Sequence, residues 1–275
     1  GTRGDVPSHP ELLDWLAAEF VRSGWNVQHI QRLMMMSATY RQTSHAGASA
    51  FAADPENRWL LRGARMRLDG EELRDAALFA SGQLVNQIGG KSVYPYQPAG
   101  LWMELNNRPG YSKEYPQGSG EDLYRRSIYT FWKRTVPSPM LKILDAPERE
   151  FCTIRRSRTN TPLQALVLLY SPQFLEAARH LGQRMLKYNG KNVEEKLAYG
   201  FRLVTARKPT DVEMTELSAA FRSERKRYAA SPEAALQMLQ VGESPFDETL
   251  DHAELSAFTS IASLFLNLDE VLTKG

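Results

Sequence analysis

Thr161-Pro162-Leu163-Gln164-Ala165-Leu166-Val167-Leu168-Leu169-Tyr170-Ser171-Pro172-Gln173-Phe174-Leu175-Glu176-Ala177-Ala178 decides the fold class. Thr161 and Gln164 stand at capping-box spacing, and Pro162 takes the first helical position, where its missing N–H is harmless. Ser171-Pro172 repeats the device, and Phe174, Ala177, Ala178 and Leu181 then recur at helical spacing. Two helices therefore follow each other with one residue between them. Downstream, the pattern predicts further helices over about 192–205, 210–229, 231–241 and 251–266.

Upstream the punctuation is similar. Ser8-His9-Pro10-Glu11 reads as a capping box opening a helix with Leu12, Leu13, Trp15, Leu16 and Phe20 on one face and Gly24 as its stop. Asn26 caps a second helix carrying Ile30, Leu33 and Met34, and the Met34-Met35-Met36 run reads as core. Asp69 and Glu72 open a third helix that ends at Gly82. Residues 83–121 break this rhythm with Gly89-Gly90, Pro95, Pro98, Pro109-Gly110 and Gly118-Ser119-Gly120. Their aromatics, including Tyr96, Trp102 and Tyr111, predict a long ordered loop offering an aromatic surface. Ser127–Trp132 and Phe151–Ile154 are the best strand candidates, so a two-stranded β ribbon is expected within 122–158. The expectation is a mainly α single domain over 1–275: helical 1–82, loop 83–121, ribbon 122–158, helical 159–275.

Composition agrees with a globular chain of 275 residues, 42% hydrophobic and 24% charged, which excludes disordered, collagen-like and coiled-coil classes. No apolar run reaches the ~18 residues of a membrane span. One cysteine, Cys152, excludes an internal disulfide and a cysteine metal cluster, and reads as a small buried hydrophobe. Five scattered histidines without an HExxH motif support no metal site, and no nucleophile-elbow or P-loop motif is present. No cofactor and no nucleic acid is expected for this chain. The start at Gly1, without Met, suggests a piece of something longer whose targeting is not legible here.

Charge is unevenly placed. Residues 125–158 carry nine Lys and Arg against three acids, and residues 231–275 carry eight acids against Lys274. Mutual packing of the two segments is the plainer expectation and an anion-binding centre the sharper one. The sharper reading centres on Arg155, Arg156 and Arg158, with Asn160 and Thr161 opening the following helix: guanidiniums and free helix N–H groups together suit phosphate, sulfate or carboxylate. Alternation places Arg156 and Arg158 on one side and Arg155 on the other. The competing reading pairs these arginines with Asp145, Glu148 or the acidic tail. Asp145, Glu148 and Glu150 could form an acid/base pair, or simply cap the turn at Pro147.

Several motifs resemble the planctomycete-type domain of unknown function numbered 1553. They are Pro7-Ser8-His9-Pro10-Glu11-Leu12-Leu13-Asp14-Trp15-Leu16, Ser37-Ala38-Thr39-Tyr40-Arg41-Gln42 and Tyr96-Gln97-Pro98-Ala99-Gly100-Leu101-Trp102. Tyr124-Arg125-Arg126-Ser127-Ile128-Tyr129-Thr130-Phe131-Trp132, Arg158-Thr159-Asn160-Thr161-Pro162-Leu163-Gln164-Ala165-Leu166 and the closing Leu266-Asn267-Leu268-Asp269-Glu270 complete the set. Leu144 departs from the family's Phe, and Tyr170-Ser171 replaces Asn-Asp. The resemblance implies the C-terminal binding or assembly module of a large periplasmic or secreted protein, with upstream domains as partners and a cytochrome-c-like, haem c segment among them. It implies no catalytic residue. It also places Gly1 inside the domain, so an exposed apolar patch is expected beside Leu12 and Trp15. The alternative function is an enzyme domain acting on an anionic polymer such as a sulfated polysaccharide, gripped by the arginines.

Overall fold

Helices set the frame, as the proline and cap signals predict. The structure, a computed structural model, describes residues 4, 6–105 and 113–274. The chain divides into two compact units: one runs to Met66 and takes in Thr273 and Lys274, the other is Arg67–Leu272.

The first unit holds α1 (Pro10–Arg22), α2 (Val27–Met36), α3 (Ala38–Arg41) and α4 (Ala48–Ala53). Pro10 occupies the first helical position behind His9, whose carbonyl accepts from Leu13 N at 3.1 Å. The expected Ser8–Glu11 capping box therefore does not form. Proline fixes the helix start and leaves Ser8 one residue early, where its hydroxyl meets His9 Nδ1 at 2.9 Å. Gly24, at φ +69°, ends α1, and the Asn26 side chain accepts from His29 N at 3.0 Å to open α2. Buried Glu19 ties the two helices through His29 Nε2 at 2.7 Å and through Arg22.

The apolar side chains of this unit are poorly covered. Helices α2, α3 and α4 bury no residue, and Leu12, Leu13, Trp15, Trp25 and Val27 are exposed. Met34, Met35 and Met36, expected in the core, are exposed too. Three consecutive helical residues fan over roughly 200°, so one core face cannot take them all.

The second unit runs from the end of β1 (Met66–Arg67) through α5 (Gly70–Ser81), α6 (Leu101–Leu105), α7 (Pro139–Ile143), α8 (Pro162–Tyr170) and α9 (Pro172–Lys187). There follow α10 (Val193–Thr205), α11 (Asp211–Ala230), α12 (Pro232–Leu239), α13 (His252–Leu266) and α14 (Asp269–Leu272); β2 (Thr273–Lys274) pairs with β1. Phe174, Ala177, Ala178, Leu181 and Met185 of α9 face Phe258, Ile261, Ala262 and Phe265 of α13 across the core. Gly182 lets the two backbones close, since a Cβ there would lie 2.9 Å from Thr259 N. Phe221 of α11 and Phe201 of α10 complete the core against Phe258 and Phe265.

The two-stranded sheet is thus β1 with β2, and the ribbon expected within 122–158 is absent. Ser127–Tyr129 is a 3-10 turn instead. Its backbone groups are already used: Ser127 N donates to Asp75 Oδ1 at 2.7 Å, Thr130 N to Ser127 O at 3.0 Å, and Val93 N to Tyr129 O at 2.8 Å. Left without a partner strand, Phe151–Ile154 lies exposed, and Cys152 with it, contrary to its reading as a buried hydrophobe. The described part of the aromatic loop packs inward. Tyr94 stacks on Phe131 at 4.8 Å, and Trp102 meets Tyr115 edge-on at 5.2 Å.

Candidate functional site

The arginine motif leads into α8, whose capping box forms as the sequence predicts: Gln164 N donates to Thr161 Oγ1 and Thr161 N to Gln164 Oε1, both at 3.3 Å. Arg156 and Arg158 converge as the alternation predicts, and they converge on carboxylates. Arg156 Nη1 reaches Asp69 Oδ2 at 3.1 Å and Glu71 Oε2 at 2.8 Å, while Arg158 Nε lies 3.8 Å from Asp69 Oδ1. Both acids sit at the start of α5, where the helix dipole favours negative charge. Asn160 accepts from Arg67 Nη1 at 3.0 Å, and Arg155 is exposed. Elsewhere, Arg126 pairs with Asp75 and Lys142 with Glu148, so these cations of the basic middle meet local acids. Acidic-tail residues Asp247 and Glu270 meet Lys187 and Arg207.

Asp145 is the second centre of the motif. Held at φ +64°, it accepts from Thr159 N at 2.6 Å, Thr159 Oγ1 at 2.8 Å and Gln164 Nε2 at 3.1 Å. Burial raises its pKa, but the hydrogen bonds from Thr159 and Gln164 outweigh that and hold the carboxyl below its usual range. It works as a clamp on the turn before α8.

Two further polar centres escape the sequence reading. Arg74 of α5 is fully buried and donates to Leu123 O at 2.6 Å, Arg125 O at 2.8 Å, Ser127 Oγ at 3.1 Å and Gln173 Oε1 at 3.1 Å. Burial pulls its pKa down to about 10, so it remains a guanidinium at neutral pH. Glu176 of α9 is equally buried. It accepts from Tyr96 and Tyr124 hydroxyls at 3.0 Å each and from Ser244 N at 2.7 Å, with Arg179 Nη2 at 3.5 Å. Burial pushes Tyr96 up to about 12 and Tyr124 higher still, so both stay protonated donors. His180 beside them is pulled down to about 4 by burial and by Arg179, and its Nε2 lies 2.9 Å from Ser244 Oγ. The legible signal was a charge on a core stripe: Arg74 sits among Leu73, Ala77 and Leu78, and Glu176 among Phe174, Ala177 and Ala178.

The aromatic surface is corrected. Trp102 is 4% exposed, with Lys133 Nζ over its ring at 3.9 Å, and Tyr96 points its hydroxyl inward to Glu176. Tyr111 lies outside the described residues. Among the described residues no group of three or more His, Cys, Asp or Glu side chains is placed to hold a metal ion. None of the helices in that set is long and apolar enough to cross a membrane.

The family described as "PSD1: Protein of unknown function (DUF1553)" matches residues 1–221. No curated protein and no solved structure matches the chain.

Proposed function

The chain belongs to the PSD1 family of unknown function (DUF1553), and on that premise we propose that it is a non-catalytic binding or assembly module of a larger extracytoplasmic protein. The observation that supports this reading most is the set of uncovered apolar side chains on the first unit. Leu12, Leu13 and Trp15 of α1, with Met34, Met35 and Met36 of α2, are exposed on helices that otherwise pack thinly. Large apolar groups grouped on a surface mark partner contacts. The partner that suits these side chains is an upstream domain of the same polypeptide, with the cytochrome-c-like, haem c segment among the candidates. Hydrogen exchange tests it on the full-length polypeptide and on this chain alone. The amides of α1 and α2 are expected to exchange at least about tenfold more slowly in the longer protein, as burial of a marginal helix pair requires. Equal rates in both would overturn the reading.

The polar chemistry points the same way, because Arg156 and Arg158 already satisfy Asp69 and Glu71. The double variant Arg156→Gln/Arg158→Gln is expected to lower Tm by about 2–6 °C, since partly exposed pairs contribute about 0.2–1 kcal/mol each. Binding of sulfated dextran is expected to stay unchanged. Should binding fall at least tenfold with Tm unmoved, Arg155, Arg156, Arg158, Asn160 and Thr161 form an anion site. The alternative of an enzyme domain on an anionic polymer would then stand ahead.

A further inference from the structure

Between α10 and α11 lies a groove of about 660 Å³, floored by buried Phe221 and Ser218 and walled on one side by the start of α10. Its other wall carries Arg222, Arg225 and Lys226, all exposed. These stand at i, i+3 and i+4 on α11, so the three charges face the groove together. Among the described residues none of the three has an ion-pair partner, whereas the neighbouring Arg227 is paired with Glu224. Like charges at these spacings destabilise a helix, and an anion laid across them would relieve that repulsion.

The groove adjoins a second one of about 500 Å³ at Ala229, which both share. Ser218 to Ala229 spans about 16 Å of helix, the length of about five extended residues. The two acids in the lining distinguish occupants. Glu194 stands on the α10 wall facing the cations, and Asp251 lines the adjoining groove that shares Ala229. A uniformly charged sulfated chain running along the groove would meet both acids. A short peptide can set its acids over the cations and place neutral or apolar residues against Val193 and Glu194.

We infer that this groove docks an acidic peptide segment of a partner polypeptide, with Arg222, Arg225 and Lys226 receiving its carboxylates. The inference names a partner chemistry for the binding module proposed above and rests on that reading, but it uses a different surface.

The test is an immobilised array of random hexapeptides probed with the whole chain and with Arg222→Gln/Arg225→Gln/Lys226→Gln. The unmodified chain is expected to select peptides enriched at least fivefold in Asp and Glu, and to release them as salt is raised. The triple variant is expected to lose that enrichment with Tm held or slightly raised, because the three side chains are exposed and their mutual repulsion is removed. A Lys208→Gln control is expected to keep it. Absence of acidic enrichment, its persistence in the triple variant, or displacement by a heparin oligosaccharide more strongly than by the selected peptides would overturn the assignment. Any of these, with slow exchange of α1 and α2 still seen in the full-length protein, would remove the groove and leave the module standing.

Discussion

Arg74→Met is expected to lower Tm by on the order of 10 °C or more. The substitution keeps most of the aliphatic volume and removes all the donors, leaving Leu123 O, Arg125 O and Gln173 Oε1 buried without their guanidinium. Each buried acceptor so orphaned loses about 1–3 kcal/mol, and in a unit of this size each kcal/mol moves Tm by about 2–4 °C. Arg74→Lys is expected to rescue little, because one ammonium cannot reach acceptors spread over residues 123–127 and α9. Thermal unfolding followed by circular dichroism reads both variants. A Met variant that melts within about 2 °C of the unmodified protein would show that the motif around Arg125 and Ser127 does not depend on α5.

Glu176→Gln is the second large effect, expected to cost about 3–5 kcal/mol because a fully buried cation, Arg179, loses its counter-charge. The amide also cannot accept from Tyr96, Tyr124 and Ser244 N together, since its nitrogen must face one of these donors. The damage should have an address. Amides of 243–250 are expected to lose exchange protection before those of α13, because Ser244 N and O bind Glu176 and Arg179 directly. Gly242, at φ +92°, adds a constraint: a Cβ there would lie 2.4 Å from Glu176 Cδ, so this loop fits against the carboxylate only as glycine. Uniform loss of protection across α9 and α13, with the loop no worse than the rest, would show a core defect instead of a docking role.

Much of this was legible in advance, and for local reasons. Thr161 with Gln164, Asp69 with Glu72 and Asn26 with its helix are short-range devices, and the helices they open appear where the spacing puts them. Ser8 shows the limit of the same logic, for the proline two residues on decided which residue became the cap. The convergence of Arg156 and Arg158 was likewise readable from alternation along an extended segment. What they converge on was not, because Asp69 and Glu71 lie more than eighty residues away in the chain.

By itself, then, the amino-acid order determined a mainly helical protein, its helix ends and its family, since periodicity and caps act within a few residues. Tertiary structure decided everything that depends on who supplies the partner for a backbone group or a charge. Ser127–Tyr129 has the composition of a strand, yet Asp75 and Val93 claimed its hydrogen bonds first. Arg74 and Glu176 look like surface charges by residue type, and they are buried because distant carbonyls, hydroxyls and a backbone amide satisfy them. Conversely, Met34, Met35, Met36 and Trp15 look like core by type and are exposed. A side chain's polarity fixes what it needs, but only the folded chain settles whether a partner is within reach.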